Sequence, residues 1–318
     1  MNNLTNVLHI KYPIVQGGMG NISNAPLTAA ISEAGALGTI GVGTMGVEEV
    51  EAIIVETKKR TSKPFALNIP ISITPHLKEM VRLVVTHGIP VVSLSAGNPS
   101  PLIPYFHEHN VKVICVVASK KQGKKAEEAG ADVIVAEGYE AAGINSNLET
   151  TTLALIPQLV DTVKIPVVAA GGIGDGRGLA SMLALGASGV QMGTRFIATK
   201  EAPFHENYKS TLVDAKDDST VIVGRSVGRV RRVMKTPYAD GLLQKEREGI
   251  APDEFNHMTS EDHHRIGALE GKLDQGFING GQVSGLVEDI PTVEVLLKRM
   301  MSDANRIFRE LSSYEMRS

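Results

Sequence analysis

The sequence predicts a (β/α)8 TIM barrel with a C-terminal helical addition. Three observations carry this reading. Short apolar runs alternate with helical segments about eight times through short connections, the pattern of a parallel sheet. Glu33-Ala-Gly-Ala36, Glu128-Ala-Gly-Ala131 and Leu185-Gly-Ala187 each end a helix and precede a strand, the glycine serving as a left-handed cap. Polar or Gly-rich stretches follow strands one, three, four, six, seven and eight. A closed barrel gathers all strand ends around one mouth, whereas an open doubly wound sheet concentrates its ligand at one switch point.

The first strand is expected at 13–19, ending in Gly17-Gly18. A helix over 26–34 follows, with Asn24 as its N-cap and Pro26 in its first turn. Strand two covers 37–42. The helix over 47–60 carries acidic residues early and Lys58, Lys59 and Arg60 late, matching its dipole. Strand three (65–69), a helix (76–86) and strand four (91–94) lead to Ser95-Ala-Gly97-Asn98. A short helix (101–109), strand five (111–117), a charged helix (120–129) and strand six (132–136) end at Glu137-Gly138, and a helix over 150–163 follows. Strand seven (165–170), ending in Gly171-Gly172, a helix over 179–185 and strand eight (189–192), ending in Gly193-Thr194, complete the cycle. The division expected is a barrel from 1–198 plus the terminal helix (292–311), and an addition over 199–290. That addition packs on the barrel mouth or makes a dimer contact, and a homodimer is the expected assembly.

Bulk properties narrow the partners. The 318 residues are 42% hydrophobic and 21% charged, with a formal net charge of −3, so no global attraction to nucleic acid or membrane is expected. Cys115 is the single cysteine and lies in an apolar run, as a buried small hydrophobe would. With no basic, apolar leader and no run of membrane-spanning length, the expectation is a cytoplasmic protein. The pair His107 and His109 points two rings apart on a helix, so no metal site is expected; His263-His264 lies in a polar segment and reads as solvated.

The two glycine loops after strands seven and eight can hold a phosphate with backbone N–H groups. Gly17, Gly18, Met19, Asn68, Glu137, Gly171, Gly172, Gln191, Met192, Gly193 and Thr194 all lie at strand ends. Such a lining suits a flavin: backbone donors for its phosphate, amides such as Asn68 and Gln191 for its ring edge, thin Gly-Gly-Met contact for its faces. The cluster Arg225, Arg229, Arg231, Arg232 and Lys235 offers charge for the phosphate of a dinucleotide or of phosphopantetheine, or forms a solvated or dimer-contact face.

Gln16-Gly-Gly-Met19, Ala136-Glu-Gly-Tyr-Glu-Ala-Ala-Gly143, Ala169-Ala-Gly-Gly-Ile173 and Gln191-Met-Gly-Thr-Arg-Phe196 together resemble the nitronate monooxygenase family, formerly 2-nitropropane dioxygenase, which includes the flavin-dependent enoyl-ACP reductase II. The resemblance extends through Lys200-Glu201, 205–209 and 280–286, which are similar to the reductase branch. It implies an FMN-containing barrel and an oxidoreductase, with NAD(P)H as a reductant. By position it adds Ala142 to the FMN-binding residues Asn68, Glu137, Gly171, Gly172 and 191–194. One departure stands out. The family places a histidine, its presumed acid/base, where this chain has Ile144, and Ile144 cannot move a proton. Asn145, Ser146 and His205 are the remaining candidates for chemistry. The activities left open are nitronate oxidation, enoyl-thioester reduction and NAD(P)H:quinone reduction. A flavin-free phosphate-binding barrel such as a Schiff-base aldolase is the contrasting reading, with Lys120 its nearest lysine.

Overall fold

Eight parallel strands form a barrel in the computed structural model, which describes residues 4–313. Strands β1 (Ile14–Gln16), β2 (Gly38–Gly41), β3 (Phe65–Pro70), β4 (Val91–Ser95), β5 (Lys112–Val117) and β6 (Val133–Glu137) fall on the first six apolar runs. A two-residue strand, β7 (Gly143–Ile144), interrupts the loop after β6. Strands β8 (Val167–Ala170) and β9 (Gly189–Met192) supply the last two staves. The barrel order is β1-β9-β8-β6-β5-β4-β3-β2. The seam closes through Gln16 N–H donating to the Leu37 carbonyl at 2.8 Å and Leu37 N–H donating to Ile14 at 3.0 Å.

Strand side chains alternate between two faces, and two cores result. Val15, Ala66, Val91, Ile114, Val133, Val135 and Val168 fill the inside, joined by Leu4 and Leu8 of the helix Leu4–Leu8. Leu67, Val92, Val113, Cys115, Ile134 and Val190 join the larger layer between strands and helices. Cys115 is buried there as expected, and desolvation pushes its thiol up to about 12. Further along the inward rows the chemistry changes with the same two-residue step. Ala66 gives way to Asn68, Val91 to Ser93 and Ser95, and Val135 to Glu137. The barrel is therefore dry at its N-terminal end and polar at its C-terminal end.

Helix boundaries follow local capping. Asn24 Oδ1 accepts the Leu27 N–H at 3.0 Å and starts the helix Ala25–Glu33. The helix after β8 runs Gly176–Ala184, starting before the expected residue 179, because Asp175 Oδ1 accepts N–H groups from Arg177 (2.8 Å) and Gly178 (3.1 Å). The helix expected over 150–163 is the shorter Thr152–Val160.

Between the barrel and the terminal helix, the helices Glu206–Val213, Pro237–Arg247, Pro252–Met258 and Glu261–Glu270 match the expected helical character. Three strands were not foreseen. Strands β10 (Thr220–Val223) and β11 (Arg231–Met234) pair antiparallel, and β11 also pairs antiparallel with β7. The β-branched run Thr220-Val-Ile-Val223 suits this state. Val223, Val233, Leu242, Phe255 and Phe277 form a separate small core there. The terminal helix Val293–Ser312 packs on Gly176–Ala184 through a face including Leu296, Leu297 and Met300. Among the described residues, no helix is long and apolar enough to cross a membrane.

Candidate active site at the barrel mouth

A cavity of about 380 Å³ opens at the C-terminal ends of the strands. Gly17, Gly18, Met19, Asn68, Glu137, Ala142, Gly171, Gly172, Gln191, Met192, Gly193 and Thr194 all line it. Twelve positions scattered over the sequence thus share one wall because parallel strands end together.

Each side chain is held or left free in a particular way. The Asn68 amide donates to the Ser93 carbonyl (3.2 Å), Ser93 Oγ (3.3 Å) and Ser95 Oγ (3.2 Å), which fixes its other atom, the carbonyl oxygen Oδ1, toward Gly18. A Cβ at Gly18 would sit 2.3 Å from that oxygen, so only glycine fits. The Gln191 side chain makes no hydrogen bond among the described residues and is free to bond a ligand. Glu137 ends β6 half-buried at the cavity wall, and its carboxyl has no hydrogen-bond or ionic partner among the described residues. Burial alone pushes that carboxyl up to about 7.

The glycine loops present backbone. Gly171 and Gly172 adopt φ of +102° and +75°, conformations that other L-residues resist. Gly193 is different: a Cβ there would meet nothing within 4 Å, so its missing side chain leaves room in the cavity. Thr194 Oγ1 accepts the Gly281 N–H at 3.0 Å, and the Glu140 carbonyl accepts the Gln282 N–H at 3.0 Å. These bonds tie the 280–286 segment to the loops after β6 and β9. The Glu140 carboxylate is occupied elsewhere, accepting the Thr152 N–H (2.8 Å) and hydroxyl (2.9 Å) at the start of the next helix. Asp175 fills the N-terminus of Gly176–Ala184, so an anion would meet the glycine loops rather than that helix.

The expected candidates for chemistry fare unevenly. Ile144, Asn145 and Ser146 line the cavity. The Asn145 amide donates to Ala141 (2.9 Å) and Gly143 (3.3 Å), and Ser146 Oγ accepts the Leu148 N–H at 3.2 Å, so both brace their own loop. His205 does not line the cavity. Its Nδ1 accepts the Asn207 N–H at 3.1 Å and caps Glu206–Val213. No lysine lines the cavity among the described residues, and Lys120 stands outside it.

Two readings of the sequence are corrected. His264 is not solvated; it is 3% exposed and lines the cavity. The helix Glu261–Glu270 buries His264, Gly267 and Ala268, three to four residues apart, and that spacing was the available signal. Its ring stacks on Phe277 with centroids 5.1 Å apart, and its Nε2 lies 3.2 Å from the Asn279 amide nitrogen. The arginine cluster is not one solvated face. Arg225 pairs with Glu149 at 2.8 Å, Arg232 donates to the Tyr139 carbonyl at 3.0 Å, and Arg231 is buried against the cavity. Strand β11 explains the split, since alternate residues face opposite sides.

Glu261 is a further residue missed by sequence reading. Its Oε2 accepts the Asn21 N–H at 3.1 Å and lies 3.7 Å from His264 Nδ1. Burial pushes its carboxyl upward, but His264, Arg231 and the Asn21 N–H outweigh burial and hold it at about 2. This contact fastens the helix Glu261–Glu270 to the turn after β1.

The nitronate monooxygenase family model matches residues 1–79 and 71–303, overlapping segments that span nearly the whole chain. FabK from Thermotoga maritima is similar in structure, with a TM-score of 0.94 and 38% identity over 98% of each chain. The (3aS,4S,5R,7aS)-5-hydroxy-7a-methyl-1-oxo-octahydro-1H-indene-4-carboxyl-CoA dehydrogenase of Rhodococcus jostii (strain RHA1) is 32% identical over 95% of each chain. A probable nitronate monooxygenase of Staphylococcus saprophyticus is 29% identical, covering 96% of this chain and 98% of its own. With a TIM barrel, a polar mouth and a family match of this extent, the chain belongs to the nitronate monooxygenase family of oxidoreductases.

Proposed function

We propose that the chain is an FMN-dependent oxidoreductase that reduces an unsaturated acyl thioester with NAD(P)H. The observation that carries the flavin is the open cradle between two glycine loops, at one end of a cavity whose walls carry uncommitted polar groups. Gly193 leaves free space, Gly171 and Gly172 expose backbone, and Glu137 and Gln191 have no partners of their own among the described residues. These residues fit FMN. Gly171, Gly172, Gly193 and Thr194 would hold its phosphate, Glu137 would accept from its ribityl hydroxyls, and Asn68 and Gln191 would meet the ring edge. A cavity of about 380 Å³ is within the usual range for such ligands, roughly 300–1,000 Å³.

When bound, FMN supplies two-electron redox chemistry, which no protein side chain here offers. The chain's own residues bind, orient and exclude water. Asn68 is immobilised by three hydrogen bonds and keeps its oxygen aimed at the mouth. The helix Glu261–Glu270 and the 280–286 segment cover the mouth through the Glu261–Asn21 and Gly281–Thr194 bonds. Ile144 moves no proton, which argues for a substrate whose activation does not depend on an acid/base at that position. The thioester substrate is favoured by the similarity to FabK and to a carboxyl-CoA dehydrogenase.

The experiment is anaerobic titration of the purified protein with NADH, NADPH or propyl nitronate as electron donor, followed by addition of crotonyl-CoA or a quinone as electron acceptor. Bleaching at 450 nm and recovery with crotonyl-CoA are expected. A bound flavin that neither nicotinamide bleaches would overturn the reductase reading, and recovery with the quinone alone would move the substrate elsewhere.

A further inference from the structure

Arg231 is a buried cation without an anion. It is 9% exposed, lines the cavity, and makes no hydrogen bond or ion pair among the described residues. Among the described residues the guanidinium stands over the Phe277 ring, its carbon 4.9 Å from the centroid. Glu261 attracts its charge, but no ion pair joins them. Glu261 Oε2 accepts the Asn21 N–H and lies 3.7 Å from His264 Nδ1. A guanidinium carries five N–H donors in a rigid fork, and none of these has an acceptor. An aromatic ring offsets only part of the cost of desolvating an ion. Burial accordingly drags the arginine's proton affinity down, against the attraction of Glu261. The strand holding it is built for placement. Arg231 and Ile144 are Cα partners in the β7–β11 pair, so the charge stands beside the Ile144 position.

We propose that Arg231 is the recognition group for a planar oxygen function of the substrate, a carboxylate-like, enolate-like or nitronate-like oxyanion presented to the cavity. The assignment rests on the reading of the cavity as an oxidoreductase site and names the chemistry that site selects. A guanidinium fork matches two coplanar oxygens or one oxygen with developing charge, geometry a lysine does not reproduce. Phe277 lies beside the guanidinium, and Glu261 attracts its charge without using its donors.

A cofactor phosphate is the other oxyanion that could reach such a fork, so the test separates the two. Crotonate, planar and not turned over, is titrated by calorimetry into the protein as purified and into Arg231→Gln and Arg231→Lys, while the FMN content of each is measured after denaturation. Crotonate affinity should fall at least 30-fold in Arg231→Gln and by a smaller factor in Arg231→Lys, with FMN content unchanged. Equal crotonate affinity in wild type and Arg231→Gln overturns the assignment, as does absence of crotonate binding by the wild type. Loss of FMN from Arg231→Gln also overturns it, placing the cofactor phosphate on the fork. If Arg231→Gln does not fold, Arg231→Lys carries the test, and undiminished affinity there overturns the proposal. A wild-type protein without FMN would fail the flavin reading, while the crotonate comparison still decides Arg231.

Discussion

Glu137→Gln isolates one unpartnered carboxyl, and its effect on stability is calculable. The folded protein raises this carboxyl from 4.5 to about 7 through burial. An acid with a raised folded pKa binds its proton more tightly when folded, so unfolding free energy falls as pH rises from about 4.5 to about 7 and then levels. At 1.36 kcal/mol per unit, this difference costs ~3 kcal/mol above pH 8 in protein freed of small ligands. Glutamine has the same shape and no charge, so the variant escapes the cost. With an unfolding entropy of ~2.1 cal/mol/K per residue, ~3 kcal/mol corresponds to a Tm gain of roughly 4–5 °C at pH 8. At pH 5 the gain should shrink to roughly 1 °C, because the wild-type carboxyl is then mostly protonated when folded. Thermal unfolding followed by circular dichroism at pH 5 and pH 8 reads both numbers. A variant that melts at or below wild type at pH 8, or with the same offset at both pH values, would refute the argument.

Other perturbations test separate parts of the structure. Gly193→Val places a side chain where nothing stands within 4 Å, so the protein should melt within ~2 °C of wild type yet bind FMN at least ~30-fold more weakly, read by flavin fluorescence titration. The Glu261 carboxyl is depressed to about 2, so its contribution is present above about pH 4.5 and lost as pH falls toward 2. The stability gap between wild type and Glu261→Gln should therefore be full at pH 6, on the order of 3 kcal/mol, and close at acid pH; a constant gap counts against it. Asp175→Ala removes the cap of Gly176–Ala184 and should cost about 1 kcal/mol in urea unfolding, whereas no loss would mean the cap is redundant.

Most of the barrel was legible because its signals are local. Apolar runs of strand length, capping glycines and Asn24 each act within a few residues, and all eight staves appear where the runs predict. The cavity-lining positions were legible because parallel topology turns a local feature, the residue after a strand, into a shared location. The cover over the mouth was harder to read. Whether His264 faces water or Phe277 depends on which side of Glu261–Glu270 meets the turn after β1; the spacing of His264, Gly267 and Ala268 marks one face of the helix but does not say what that face meets. The same holds for Arg231 and Arg232, adjacent in sequence yet on opposite faces of β11, a strand that exists only through pairing with β7 and β10. His205 opens a helical segment in the sequence, where capping is the default role for it, and its imidazole is indeed used by its own helix start.

The central claim is that the mouth holds one FMN. The most direct measurement is denaturation of protein purified without added cofactor, with the released small molecules identified by chromatography and mass spectrometry. The account predicts FMN, approaching one per chain, or stoichiometric uptake when FMN is added to colourless protein. Protein that releases no flavin and takes up none at micromolar concentrations would contradict it.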